Sequence, residues 1–258
     1  MGSAETMDTG CGATAGGPAT LRLRVDELLP GVERVTDRGK CHEVVYRLAD
    51  LVPGLVAHGK ALAHALANPA LLRRAGIAHA PAPGNVLCLD LETLGLQREP
   101  VFLVGLAGQN AVGEMECRQL IARELDEEEA VLAASAEELE RAHLVVTFNG
   151  TQFDIPYLCD RMRRYAITPH VPAHVDVLLE ARGRFGNTLP NCRLQTLEVA
   201  ICGRVREGDV AGSEVPTAYR RFLLTGDARG IVEIARHNVL DLATTLELLV
   251  HLWGQWDA

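Results

Sequence analysis

The sequence is nearly empty of lysine: among its 25 basic residues only Lys40 and Lys60 are not arginine. It also lacks a cysteine pair at Cys-x-x-Cys spacing, an apolar run of bilayer length, and a basic-then-apolar leader. Seven scattered thiols without that spacing argue against a zinc ribbon or a disulfide framework, and suit a reducing, cytoplasmic setting. The missing apolar run excludes a membrane-spanning helix, and the missing leader is read as no export signal. Positive charge is short overall. A net charge of −9 argues against a protein that grips nucleic acid by bulk electrostatics. Residues 160–240 nevertheless carry twelve arginines against nine acids, and arginine suits bidentate phosphate contacts. Much of the acid lies in residues 124–140 instead, in a run expected to form a solvated helix face.

What the sequence does contain is enough apolar residue, 48%, for a full core in 258 residues. The chain is organised around Val86–Thr93 (VLCLDLET), an apolar strand flanked by Pro83-Gly84-Asn85 and Gly95. Asp90 and Glu92, two residues apart, fall on one face of it beside Cys88. Two carboxylates held together in a core repel and lose solvation, and a divalent cation with hard-oxygen preference relieves both costs. A lone Asp-x-Glu is more simply a charged strand end, so the reading depends on further acids downstream.

Residues 1–20 are small and polar and are expected to be disordered. Residues 21–84 form an extension and linker, with helix-compatible spacing at residues 44–66 and a short helix at 68–75. His42, His58 and His64 lack ligand spacing. The domain proper is expected at residues 85–254. Strands are predicted at 100–108 and 116–122, a helix at 126–141, and a buried strand at 144–148. Asn149-Gly-Thr-Gln-Phe-Asp154 then turns into a helix with Pro156 in its first turn. A short fifth strand at 174–178 precedes helices at 188–203, 215–225 and 230–254. In the last, His237 and Asp241 are four apart and face the same way.

Taken together, Asp90, Glu92, Asp154 and Asp241 occupy places where one mixed sheet could converge them. Four carboxylates around a point call for about two divalent cations, an arrangement suited to phosphodiester hydrolysis. The motifs Asp90-Leu-Glu-Thr-Leu-Gly95, Asn149-Gly-Thr-Gln-Phe-Asp-Ile-Pro-Tyr-Leu158 and His237-Asn-Val-Leu-Asp241 resemble those of the DEDD group of ribonuclease H-like 3′–5′ exonucleases. The closer resemblance is to the YprB-like ribonuclease H-like family. It extends through residues 175–182, 189–198, 209–212, 216–219 and 225–227, and covers roughly residues 85–250.

The resemblance implies an α/β fold, a mixed five-stranded sheet flanked by helices. It implies Asp90, Glu92, Asp154 and Asp241 as ligands of two Mg²⁺ or Mn²⁺ ions. It places Thr93 and Leu94 at the terminal nucleotide, Asn149 and Phe153 in its pocket, and Arg182 and Arg193 at phosphate or in structural contacts. One departure stands out. Characterised members carry Tyr-x3-Asp or His-x4-Asp, whereas His237-x3-Asp241 puts histidine in the tyrosine's place. His237 there could deprotonate or orient the attacking water. The expected activity is a 3′–5′ exonuclease on single-stranded DNA or RNA, with a partner protein delivering substrate as one option. The alternatives are a structure-specific endonuclease of the same fold and a non-cleaving nucleic-acid-binding module.

Overall fold

The computed structural model describes residues 23–55, 59–96 and 98–254. The expectation of disorder at residues 1–20, and His58, lie outside them. Seven described strands form one mixed sheet: β1 (Val32–Thr36), β2 (Gly39–Arg47), β3 (Val86–Thr93), β4 (Val101–Gln109), β5 (Met115–Ile121), β6 (Leu144–Thr147) and β7 (Ala173–Asp176). Their order is β1-β2-β5-β4-β3-β6-β7, antiparallel from β1 through β3 and parallel from β3 to β7. The five expected strands are all present as β3–β7, but the sheet has seven.

The two extra strands come from the extension, where the apolar spacing from residue 44 predicts helix. The reason is that Cys41, His42, Glu43 and Val44 are all buried, so no polar–apolar alternation marks β2. Its polar members survive burial by pairing. His42 Nε2 lies 2.7 Å from the Leu29 carbonyl, and Glu43 pairs with Arg34 and Arg118.

Ten helices surround the sheet among the described residues: α1 (Val25–Leu28), α2 (Leu48–Leu51), α3 (Gly59–Leu66), α4 (Pro69–Ala75), α5 (Glu128–Arg141), α6 (Asp154–Arg164), α7 (Val177–Phe185), α8 (Leu194–Leu197), α9 (Val215–Thr225) and α10 (Arg229–Trp253). None is long and apolar enough to cross a membrane. The helix expected over 188–203 shrinks to α8 and a π turn at Glu198–Cys202. Pro190 accounts for the loss, because it disfavours helix in the residue before it.

Two apolar clusters fill the interior, and β3 divides between them by alternation. Leu89 and Leu91 join one with α5, α6 and α9, while Val86 and Cys88 join the other with α3, α4, α7 and most of α10. Leu62, Leu66 and Leu71 are fully buried there, at about 2 kcal/mol of burial each.

The acidic start of α5 is not simply a solvated face. Glu128 is 1% exposed. It accepts from Arg161 Nε (2.7 Å) and Nη2 (2.5 Å), from the Tyr165 hydroxyl (2.8 Å) and from the Val101 N–H (2.8 Å). This hub ties α6 to β4 and α5, and so fixes the helix that begins at Asp154.

Candidate active site

The candidate site lies where β3 outruns its parallel neighbour. The β3–β6 ladder stops at Cys88–Val146, which leaves the Leu91 N–H beyond it. Asp154 Oδ1 accepts that N–H at 3.2 Å, bringing the first residue of α6 against the strand that carries Asp90 and Glu92. Pro156 sits in the first turn of α6, where an N–H has no helical acceptor.

The turn before α6 is held by the end of β7. Asp176 Oδ1 accepts from Asn149 N (2.8 Å) and Leu178 N (3.1 Å), and its Oδ2 accepts from Thr151 N (3.1 Å). Asn149 adopts φ +67, a left-handed conformation that asparagine tolerates better than most residues. One carboxylate thus caps α7 and shapes the turn leading to Asp154.

From the other side α10 supplies His237, Asn238 and Asp241. Asn238 Nδ2 donates to Asp90 Oδ2 at 2.8 Å, while its Oδ1 accepts from Gln119 Nε2 at 2.9 Å. Gln119 also donates to the Ala235 carbonyl (2.7 Å). Asp90, Gly105 and Gln119 are direct neighbours across β3, β4 and β5, with Asn238 seated over the glycine.

The acids act on one another. Burial is the first cause in every case, and it raises all four carboxyls above their ordinary values. Asp90 is pushed further by Asp154, Asp241 and Glu92, against the Asn238 hydrogen bond. Glu92 is pushed by Asp241, Asp154 and Asp209. Asp154 reaches about 7 although its own N–H and that of Leu91 oppose the rise. Asp241 is raised despite His237 and Arg206 beside it. Glu92, 8% exposed, receives no hydrogen bond among the described residues.

Such a donor set, all oxygen and costly to ionise, fits a hard divalent cation. Among the described residues no three His, Cys, Asp or Glu side chains already close on a single metal-sized point. Asp241 is instead drawn toward Arg206, with Nη1 to Oδ1 at 2.6 Å.

The remaining expected residues divide. Asn149 and Arg193 line one cavity of about 470 Å³ with Phe148, Arg182 and Asn191. Neither Arg182 nor Arg193 has a carboxylate partner among the described residues, whereas Arg161, Arg164, Arg204, Arg206 and Arg229 are ion-paired within the chain. Phe153 is half-buried and packs against Tyr157 at 5.2 Å between ring centroids. The Thr93 hydroxyl donates to the Gly95 carbonyl (2.8 Å). Leu94 differs from expectation, since its side chain is packed in the core and only its backbone lies at the loop, the carbonyl accepting from Arg220.

Sequence reasoning missed Asn238, Gln119, Asp176, Arg206 and Asp209 as parts of the site. Gly105 was the available signal for the first two: an isolated glycine inside an apolar strand marks close approach.

The family profile of the RNase H superfamily matches residues 87–253. No curated protein matches the chain. Among solved structures, it is similar to the family B DNA polymerase from the hyperthermophilic archaeon Pyrobaculum calidifontis, at 19% identity and a TM-score of 0.52. The likeness covers 66% of this chain and 24% of that one, so the chain spans about a quarter of the polymerase's length. It is a likeness of fold.

Proposed function

The chain belongs to the RNase H superfamily, and we propose that it is a metal-dependent nuclease shortening single-stranded DNA or RNA from the 3′ end. In this reading Asp90, Glu92, Asp154 and Asp241 hold two Mg²⁺ or Mn²⁺ ions, in a DEDD arrangement of the YprB-like kind. The observation that carries it is the gathering of four acids at one end of β3, Glu92 and Asp154 buried and Asp90 and Asp241 half-buried, with every carboxyl raised above its ordinary range. A folded protein retains such repulsion where a bound cation offsets it.

When bound, the ions supply a water of lowered pKa and stabilise charge on the reacting phosphate. The chain's own groups do the rest. Asp154 is fixed to β3 by the Leu91 N–H, and Asp90 is aimed by Asn238. His237, on the same face of α10 as Asp241, orients the attacking water. Asn149, Phe153 and the Thr93 loop hold the terminal nucleotide, and Arg193, beside Arg182, meets a phosphate along the strand.

The test uses 5′-labelled single-stranded DNA and RNA with Mn²⁺, Mg²⁺ or EDTA, comparing wild type with Asp154→Asn. A metal-dependent ladder shortening from the 3′ end, lost in the variant, is the expected result. Discrete internal cuts would replace the exonuclease with an endonuclease. A folded protein that neither cleaves nor gains stability from Mn²⁺ would overturn the reading.

A further inference from the structure

Asp209 lies in the segment between the π turn and α9, and it closes a ring of four side chains over the middle of α10. Asp209 Oδ1 is 2.8 Å from His237 Nδ1, and His237 Nε2 is 3.5 Å from Asp241 Oδ2. Arg206 Nη1 completes the ring, 2.6 Å from Asp241 Oδ1 and 3.0 Å from Asp209 Oδ2. Arg206 is anchored from behind by Glu198 (Nε to Oε2, 2.5 Å), itself fixed by Arg204 and the Thr244 hydroxyl. Arg206, whose guanidinium is always charged, faces Asp209 Oδ2 at 3.0 Å and keeps that carboxylate ionised.

An ionised carboxylate only accepts hydrogen bonds, so the nitrogen facing it must carry a proton. Nε2 also faces a carboxylate, but at 3.5 Å from Asp241 Oδ2 it makes no hydrogen bond there, so the single proton of the neutral imidazole sits on Nδ1 against Asp209 and leaves Nε2 as the acceptor. With the opposite tautomer, Nε2 would present an N–H to the acids and could take nothing from a water molecule.

We propose that Asp209 is the positioning residue of His237, holding its ring in the Nδ1–H tautomer so that Nε2 accepts a hydrogen bond from the attacking water. The catalytic half of this inference rests on the nuclease reading, while the tautomer does not. In the reaction, the water proton passes to Nε2 and the Nδ1 proton stays on the Asp209 bond. The water oxygen forms a bond to phosphorus as the bond to the leaving 3′ oxygen breaks, and the imidazolium then releases its extra proton to solvent while the leaving oxygen takes one up.

The experiment combines ring ¹⁵N shifts of histidine-labelled full-length protein with kinetics of Asp209→Asn, Asp209→Glu, His237→Ala and the Asp209→Asn/His237→Ala pair. Arg206 keeps Glu198 and Asp241 in Asp209→Asn, so the segment stays anchored, and melting curves verify folding of every variant. We expect the Nδ1–H tautomer in wild type, and its loss in Asp209→Asn, whose amide can donate to Nδ1. For a general-base contribution kcat should fall about 10²-fold or more, with KM within about threefold. Asp209→Glu should restore part of the rate. In the His237→Ala background the same substitution should cost little, because a residue acting through the imidazole has nothing left to act on.

An Nε2–H tautomer in wild type, or no change in Asp209→Asn, overturns the proposal. So does an equal rate loss with and without His237, which would make Asp209 a structural residue. If wild type cleaves nothing, the nuclease reading fails, and the ring shifts alone decide whether Asp209 sets the tautomer.

Discussion

A Cβ placed on Gly105 would lie 2.0 Å from Oδ1 of Asn238, so the strand and the helix meet here with no room for a methyl group. Asn238 cannot swing aside freely, because Gln119 and Asp90 hold both ends of its amide. Gly105→Ala should therefore cost about 1–3 kcal/mol, as overpacking does. Adding Asn238→Ala should recover part of that loss in thermal melts, whereas purely additive losses would mean the clash is absorbed elsewhere.

Glu128 joins three elements that position Asp154, and its partner Arg161 is nearly as buried. Glu128→Gln leaves that guanidinium without a compensating charge. The expected loss is roughly 3–5 kcal/mol in urea unfolding, far above a surface ion pair. A loss under ~1 kcal/mol would mean that water reaches Arg161 in the variant.

The raised Asp154 carboxyl sets a pH dependence of definite sign. Its folded value of about 7 exceeds the ordinary aspartate value of 3.8, so between those values the folded state binds more protons than the unfolded one. Its contribution to stability is then full at low pH and lost as pH rises through about 7. His174 and His251, lowered by burial, act in the opposite sense, losing stability as pH falls, so the comparison must be differential. In metal-free protein, the stability of Asp154→Asn relative to wild type should grow across this window, by on the order of a few kcal/mol, and level off above it. A difference that is flat with pH would contradict the burial cause.

Asn149 holds a left-handed backbone and also lines the cavity with Arg193. Asn149→Gly preserves the backbone and should leave the melting temperature nearly unchanged while raising KM for a short oligonucleotide. Asn149→Ala should lose about 1 kcal/mol of stability in addition. Equal KM for wild type and the glycine variant would remove the side chain from the substrate pocket.

The core was legible wherever one side-chain period ruled. β3, β4 and β6 are mostly apolar, α10 carries its stripe, and the first two acidic motifs stood at element ends, where β3 finishes and α6 begins. The hairpin β1–β2 was not legible, because buried Glu43 and His42 are held by Arg118 and the Leu29 carbonyl, partners that no periodic pattern marks. Glu128 misled for the same reason, since an acid in a helix's first turn looks identical whether it meets water or Arg161. In the site, Asn238 lay in plain view within a quoted motif, but its function depends on a glycine 133 positions away, a contact that only the sheet register creates.

The hairpin also separates two lengths that are easily confused. The span shared with the superfamily is 87–253, yet β5 pairs along six residues with β2, and fully buried leucines of α3 and α4 seal the second apolar cluster. A protein trimmed to the shared span would carry a bare strand edge and an open hydrophobic wall, the two features that drive chains to associate. Its evolutionary outline is smaller than its folding unit, and expression boundaries belong at the latter.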